Sequence, residues 1–230
     1  MAENVLIVGA GAGLSAALAR RFATEGMRVA LAARRPERLE GLLAETGARA
    51  FRCDASRRDE VEALFAAFAA QLGPPDVVVY NPSYRARGAI GELDCDEVLK
   101  GLLVTCYGGF LVAQQAARAM LARGHGSMLF TGASASIKGY ARSSSFAMGK
   151  FGLRGLAQSL ARELAPQNIH VAHFVIDGGI RQPNDPRASA RGEDGLLEPD
   201  AIADTYLRIH RQHRSAWTWE VELRPWVEPF

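Results

Sequence analysis

The feature that most constrains the fold is a glycine-rich loop between a strand-like run and a helical pattern near the start of the chain. Val5-Leu6-Ile7-Val8 leads directly into Gly9-Ala10-Gly11-Ala12-Gly13-Leu14-Ser15, after which Leu14, Leu18 and Phe22 recur as on one helix face. Glycines let the backbone approach a pyrophosphate, and the free amides of a helix N-terminus attract it. The loop therefore predicts a nucleotide site; the alternative is a plain tight turn. The residues predicted to bind the cofactor here are Gly9, Gly11, Ala12, Gly13 and Leu14.

The rest of the chain repeats this alternation of short apolar runs and helical patterns. Most of the apolar runs are continuous, which is typical of strands covered on both faces. The predicted strands are 4–8, 28–32, 49–53, 76–80, 127–131, 170–176 and 217–223. These repeated units predict one domain over residues 1–230, an α/β Rossmann-type, doubly wound parallel sheet. Residues 181–199, rich in Pro, Gly, Asp and Arg, predict a mobile loop.

Capping signals place three of the helices. Ser56 with Asp59 predicts a capping box at the start of the third helix. Asp94 with Glu97 predicts the start of a longer helix that runs to about residue 122. A further helix is predicted over about 144–164, ended by Pro166.

Composition excludes several classes of protein. The 230 residues carry a net charge of +2 with basic and acidic residues interleaved, which argues against a nucleic-acid partner. No apolar run reaches the ~18 residues that span a bilayer, so no membrane partner is expected, and no signal peptide is visible. Cys53, Cys95 and Cys106 lack metal-ligand spacing, and they predict reduced thiols in a cytoplasmic protein without a metal site.

The end of the second predicted strand selects among dinucleotides. An acid at this place would bind the ribose hydroxyls of NAD, but the chain has Arg34 and Arg35 there. Two guanidinium groups can bind a 2′-phosphate through charge-assisted hydrogen bonds. The pair therefore predicts NADP (NADPH) as cofactor; the alternative is a solvated basic turn.

A run late in the chain carries a family resemblance. Phe146 and Lys150 lie in Ser144-Ser145-Phe146-Ala147-Met148-Gly149-Lys150-Phe151-Gly152, which resembles the catalytic helix of the short-chain dehydrogenase/reductase family. The glycine loop is similar to that family's loop at Gly9 and Gly13, with Ser15 in place of a third glycine. The resemblance covers nearly the whole chain. It implies an NADP(H)-dependent oxidoreductase for a small carbonyl or alcohol substrate.

The resemblance also assigns site residues. Ser134 is one position from the family's catalytic serine; the alternative is a loop serine that bonds local backbone. Thr105 stands where the family commonly has an asparagine that relays a water to the lysine. Asp54 corresponds to the family's adenine-binding aspartate, although a loop-capping role is the alternative. The other cofactor contacts that the resemblance implies are Ala55, Asn81, Pro82, Lys150, Asp177, Gly178 and Ile180.

The family has a tyrosine where this chain has Phe146. A phenol four residues before the lysine lies on the same helix face and passes a proton to the carbonyl oxygen. Phe146 keeps the ring and lacks that proton. The candidates for a replacement donor are Ser134, Ser136, Tyr140, Tyr84, a water on Lys150, or Lys150 itself if burial lowers its pKa.

Two hypotheses for function remain open at this stage. One is an oxidoreductase with a non-standard proton donor, and the other is a catalytically silent NADP(H)-binding regulatory or scaffold protein. In the resembled family the helices near 98–122 and 145–164 pair between subunits, which implies a homodimer or homotetramer. The candidate contacts are Gly101, Gly108, Gly109, Ala113, Ala116, Ala117, Trp217, Trp219 and Trp226. Arg181, Arg187 and Arg191 could bind a carboxylate or phosphate of the substrate, while His170 and His173 are expected to be structural.

Overall fold

The computed structural model describes residues 2–192 and 194–228 and contains a seven-stranded parallel sheet of order β3-β2-β1-β4-β5-β6-β7. The doubly wound α/β fold that the sequence predicts is confirmed. The predicted strands all form, with shifts of one to three residues at their ends. Their bounds are β1 Asn4–Val8, β2 Arg28–Ala33, β3 Arg49–Arg52, β4 Val77–Tyr80, β5 Gly126–Thr131, β6 Ile169–Ile176 and β7 Glu220–Leu223.

Helices cover both faces of the sheet. The face of α1 and α8 is packed by apolar side chains such as Leu18, Phe22 and Tyr206, and the opposite face by Phe68, Leu111 and Leu153. The strand order reverses between β1 and β4, and in such sheets a ligand binds at the carboxyl ends beside that reversal. The helices are α1 Leu14–Thr24, α2 Glu40–Thr46, α3 Arg58–Leu72, α4 Cys95–Leu102, α5 Gly108–Arg123, α6 Ser144–Leu164, α7 Arg187–Arg191 and α8 Pro199–His210.

One of two capping predictions is corrected by the structure. The capping box of Ser56 and Asp59 does not form, because the Ser56 hydroxyl donates to Asp54 Oδ1 at 2.6 Å and α3 begins after it. The helix that starts beside Asp94 is capped as predicted, with the Asp94 carboxylate accepting from the amides of residues 96 and 97. The helix runs to Arg123 as predicted, with a π-helical turn, Leu103–Tyr107, between its two α-helical parts α4 and α5.

The glycines and alanines predicted as subunit contacts pack inside the subunit instead. A Cβ on Gly108 would lie 2.4 Å from the Tyr80 hydroxyl, and one on Gly109 would lie 2.5 Å from Leu153. A Cβ on Gly101 would lie 2.9 Å from the Ser145 hydroxyl. The small residues are needed because α4 and α5 press against β4 and α6, with Ala113 and Ala116 buried and Ala117 partly buried.

The aromatic tail is mostly folded onto its own subunit as well. Trp217 stacks on His170 with ring centroids 4.7 Å apart, and the Arg154 guanidinium lies 5.5 Å from the Trp219 ring. Trp226 is exposed. Trp217 and Trp219 are half-buried against their own subunit, and a role of the tail in subunit contacts stays a prediction.

Within the 181–199 segment, the described residues 181–192 and 194–199 do not form an open loop. They contain α7, and Ile180 forms a β-bridge with Leu197. The three arginines expected to meet the substrate are each ion-paired: Arg181 with Glu198, Arg187 with Asp185, and Arg191 with Glu228. Mobility of this segment stays a prediction.

The described residues include no helix that combines the length and apolarity of a membrane span. Cys53, Cys95 and Cys106 are free thiols. Within residues 2–192 and 194–228, no three His, Cys, Asp or Glu side chains cluster as a metal site would require.

Candidate active site

The glycine loop has a conformation that only glycine supplies at its first position. Gly9 has φ +83°, and a Cβ there would lie 2.7 Å from the ring of Pro82. Positive φ and close packing both exclude a side chain. Gly9 therefore lets the end of β1 lie against the end of β4, with Pro82 beside the loop.

A hydrogen-bonded chain fixes the loop to β4. Asn81 donates from Nδ2 to the Ser15 hydroxyl at 2.7 Å, and Ser15 donates to the carbonyl of Gly9 at 3.0 Å. Ser15 is buried at the start of α1. In the sequence Ser15 looked like a small replacement for glycine. Its bonding role depends on Asn81, which is distant in the chain, so the spacing alone could not reveal it.

The cleft beside this loop fits the adenosine half of a dinucleotide. One cavity, of about 310 Å³, is lined by Gly9, Arg34, Asp54, Ala55, Asn81 and Pro82, among others. A second, contiguous at Arg34, is lined by Gly11, Ala12, Arg35 and Arg38. Among the described residues, neither Arg34 nor Arg35 has a carboxylate partner, so both are free to meet a phosphate. Asp54 accepts from the amide and hydroxyl of Ser56, the loop-capping role, while still lining the cleft.

The second half of the cleft lies at the carboxyl ends of β4, β5 and β6. This inner cavity, of about 300 Å³, is lined by Leu14, Asn81, Ser83, Arg85, Thr131, Gly132, Ala133, Ser134, Phe146, Lys150, Ile176, Gly178 and Ile180. Gly13, from the predicted set, is the N-cap of α1 and lines a separate cavity beside Ala12 and Gln182. The structure thus brings together the predicted residues of three separate strand ends.

Asp177 is the exception among the predicted residues in this region. Its carboxylate pairs with Lys138 at 3.1 Å and with Arg224 at 2.5 Å, and the side chain is buried among them. These partners occupy both the charge and the space that a ligand would need. A cofactor contact from Asp177 would have to come from its backbone.

Lys150 lies at the floor of the inner cavity. Its side chain is 2% exposed, and Nζ donates to the carbonyl oxygen of Thr131 at 2.7 Å. Burial, and to a smaller degree the positive charge of Arg85, lowers the pKa of Lys150 to about 7. The amine is therefore divided between its two protonation states near neutral pH.

Phe146 occupies the place beside Lys150 and is itself covered. The ring is 5% exposed, with Lys150 Nζ 5.9 Å from its centroid on one side. The guanidinium carbon of Arg85 lies 3.8 Å from the same centroid. The sequence reasoning missed Arg85; the signal was the Tyr84-Arg85-Ala86-Arg87 run directly after the fourth strand.

The candidate replacement donors separate into two groups. Ser134 lines both the inner cavity and an outer one, and Tyr140 lines the outer one. Ser136 is buried, and its hydroxyl accepts from the amide of Ala133 at 3.1 Å. Tyr84 donates to the Glu97 carboxylate, away from the cavity lining. Only Ser134, Tyr140 and Lys150 therefore face the space where a substrate would lie.

Thr105 does not reproduce the link expected of an asparagine at its position. Thr105 lies in the π-helical turn, and its hydroxyl accepts a hydrogen bond from the backbone amide of Tyr84 at 3.0 Å. A Cβ on Gly149 would lie 2.9 Å from the Thr105 Cβ, so the turn presses directly on α6 one residue before Lys150. Thr105 thus sets the position of α6 and bonds to the loop that carries Arg85.

Glu220 and its two partners, Arg154 and His173, form a hydrogen-bonded cluster next to the part of α6 that carries Lys150. His173 is fully buried, and its Nδ1 lies 3.0 Å from Glu220 Oε2. Because a carboxylate only accepts, Nδ1 is the donor. Arg154, one helical turn after Lys150, donates twice to Glu220 at 2.6 and 2.8 Å. Burial lowers the pKa of His173 to about 4, so the imidazole is neutral and structural, as expected from the sequence.

Comparisons with known proteins agree with this geometry. A model of the short chain dehydrogenase family matches residues 3–185. The 3-oxoacyl-[acyl-carrier-protein] reductase MabA of Mycobacterium tuberculosis is 30% identical over 198 residues, which cover 86% of this chain and 77% of that protein. A crystal structure of a short-chain dehydrogenase from Rhodopseudomonas palustris is 38% identical, with a TM-score of 0.84 over 97% of this chain and 99% of that one. Actinorhodin polyketide ketoreductase, solved as a variant with NADPH, is 26% identical, with a TM-score of 0.89 over 97% and 96% of the two chains.

Proposed function

The chain belongs to the short-chain dehydrogenase family, and on that premise we propose that it is an NADP(H)-dependent oxidoreductase that reduces a small carbonyl compound. The observation that carries the proposal is Lys150, a buried amine at the floor of a cavity that the glycine loop also borders. A reductase name for MabA and NADPH in the actinorhodin ketoreductase support the same direction of reaction.

The cofactor part of the proposal rests on Arg34 and Arg35. Both line the adenosine side of the cleft without a carboxylate partner in the described chain, and charge-assisted bonds from two guanidiniums suit a phosphate. NADPH, when bound, supplies the hydride. Asn81 holds the loop that would meet the pyrophosphate, and Leu14, Gly178 and Ile180 border the inner cavity.

The proton part of the proposal rests on Lys150. As hydride adds to the carbonyl carbon, the carbonyl oxygen takes a proton from the Lys150 ammonium. Nζ is then left as a neutral amine. Ser134 lines the same cavity and can hold the carbonyl oxygen by a hydrogen bond. A pKa of about 7 suits this role, because a general acid works best when its pKa is near the working pH.

Self-association is the final part of the proposal. Exposed apolar side chains lie on α4, α5, α6 and the π-helical turn: Leu99, Tyr107, Phe110, Met148 and Phe151, each 43–53% exposed. Tyr107 and Phe110 stack on each other with centroids 6.1 Å apart. Such side chains on adjoining helices are typical of an interface. We expect a homodimer or homotetramer that buries them.

Cofactor choice gives the first prediction. NADPH should bind more tightly than NADH, and Arg34→Asp should reverse the preference, because it removes a phosphate donor and adds an acceptor for ribose hydroxyls. Fluorescence titration of both cofactors measures this, with Arg208→Gln, an exposed arginine on α8, as the control. Equal affinity of the unaltered protein for the two cofactors would show that Arg34 and Arg35 form only a basic turn.

The proton source gives the second prediction. The unaltered protein should oxidise NADPH slowly with activated carbonyls, at a rate that falls as the pH rises above about 7 and Nζ loses its proton. Lys150→Met should lower kcat by roughly 10²-fold or more, as for loss of a general acid. Phe146→Tyr should raise kcat by at least about tenfold, because a phenol one turn before Lys150 shares the lysine's helix face.

The matched control for this experiment is Phe146→Leu, which replaces the ring with an aliphatic side chain and adds no hydroxyl. Brisk reduction by the unaltered protein that is lost in Phe146→Tyr would mean that a different acid already serves. A bound cofactor with no turnover in any form would favour the catalytically silent alternative.

Assembly gives the third prediction. Light scattering at micromolar concentration should give the mass of a dimer or tetramer, and Phe110→Glu with Phe151→Glu should shift it towards a monomer because charges would enter an apolar contact. Arg208→Glu, at an exposed position of α8, should leave the mass unchanged. A monomer mass for the unaltered protein would remove the interface.

A further inference from the structure

The loop after β4 places an unpaired cation directly on the active-site ring. The Arg85 guanidinium lies over Phe146, at 3.8 Å from its centroid, and lines both the inner and the outer cavity. Within residues 2–192 and 194–228, Arg85 has no carboxylate partner. The five N–H donors of the Arg85 guanidinium therefore border the space next to Ser134 and Lys150, and none of them has a carboxylate acceptor among the described residues.

The outer cavity is also lined by positively charged side chains. It has a volume of about 470 Å³ and opens beside Phe146, and its charged lining residues are Arg85, Arg87 and Arg142. No carboxylate is among its described lining residues. The nearest acid to Arg142 is Glu92 at 3.9 Å, and both side chains are largely exposed. With Lys150 in the inner cavity, four cationic side chains border one continuous cleft.

Several other arginines around the cleft differ from Arg85 and Arg87 because each has a carboxylate partner. Arg181, Arg187 and Arg191 are each held by a carboxylate, and Arg154 is held by Glu220. Arg85 is instead partly desolvated beside Arg87, and both effects lower the pKa of Arg85. An anion bound between them would relieve that repulsion.

We propose that the substrate is an oxo acid whose carboxylate is bound by Arg85, with Arg87 and Arg142 attracting it at the outer cavity. This inference rests on the proposed reductase function and adds the substrate class. The planar guanidinium presents paired donors that match a carboxylate. Phe146 then has a role of its own, because its ring face holds Arg85 flat while the carbonyl of the bound acid lies towards Ser134 and Lys150.

The test compares acids with their neutral esters. Acetoacetate and levulinate would be assayed with NADPH against methyl acetoacetate and methyl levulinate, in the unaltered protein, Arg85→Gln, Arg85→Lys and the control Arg208→Gln. At least one acid should exceed its ester in kcat/KM. Arg85→Gln should lower kcat/KM for that acid by about 10- to 150-fold, the worth of one hydrogen bond to a charged group. The loss should lie mainly in KM, and the acid-to-ester ratio of kcat/KM should fall by about the same factor, because the ester shares any effect of Arg85 on Lys150.

A binding measurement keeps the test independent of turnover. Levulinate would be titrated into the NADP⁺-loaded protein and followed by saturation-transfer NMR. Binding should be seen for levulinate, weakened in Arg85→Lys, lost in Arg85→Gln and weaker for methyl levulinate than for levulinate. Dihydroxyacetone phosphate tests whether the cleft prefers a phosphate group to a carboxylate. A preference for this compound over both oxo acids would overturn the choice of a carboxylate.

The outcomes separate the two proposals. Equal turnover of acids and esters, unaffected by Arg85→Gln, would overturn the oxo-acid inference and leave the reductase function standing. Levulinate binding that needs Arg85, without reduction of any carbonyl, would overturn the reductase function and keep the anion site. If levulinate fails to bind and no acid is preferred, the oxo-acid inference is wrong.

Discussion

The hydrogen bond from Lys150 Nζ to the Thr131 carbonyl oxygen holds an ionisable amine where little water reaches it. Burial alone would favour the neutral amine, and the carbonyl accepts from either form. Arg85 adds a second positive charge next to the same Phe146 ring, and this charge also lowers the pKa of Lys150. A carboxylate arriving at Arg85 would offset that charge and favour the protonated lysine. Under the proposed function, substrate binding and proton supply would be coupled by this arrangement.

The fold keeps Lys150 in place from two sides. On one side, the π-helical turn presses Thr105 against Gly149, so α6 cannot move towards α4 and α5. On the other, Arg154 joins α6 to β7 through Glu220, and His173 joins the same carboxylate to β6. Lys150 and Arg154 are four residues apart, so one face of α6 carries both the reactive amine and its structural tie.

The sequence predicted what depends on local pattern. Continuous apolar runs located the strands, and the glycine loop located the cofactor cleft at the ends of β1 and β4. It could not predict contacts that join distant segments, such as the bond between Asn81 and Ser15 or the stacking of Arg85 on Phe146. The small residues of α5 were misassigned for the same reason: composition shows that a close contact exists, but only the packing shows that the contact is with Tyr80 and Leu153. The arginines of residues 181–191 were predicted as substrate contacts, but Asp185, Glu198 and Glu228 pair with them, and only the partner of Arg191 is distant in the chain.

The most direct test of this account is the ionisation of Lys150 itself. The chain has three lysines, so ¹³C-labelled lysine should give three resolvable side-chain signals, and Lys150→Met identifies the one in question. The account predicts that this signal titrates with a midpoint near pH 7, while the Lys100 signal, whose pKa is raised by Glu97, stays constant over the same range. Arg85→Gln should move the Lys150 midpoint upward, because one repelling charge is removed. A midpoint near 10.5 would contradict the account, since Lys150 would then be an ordinary ammonium unable to give up a proton at neutral pH.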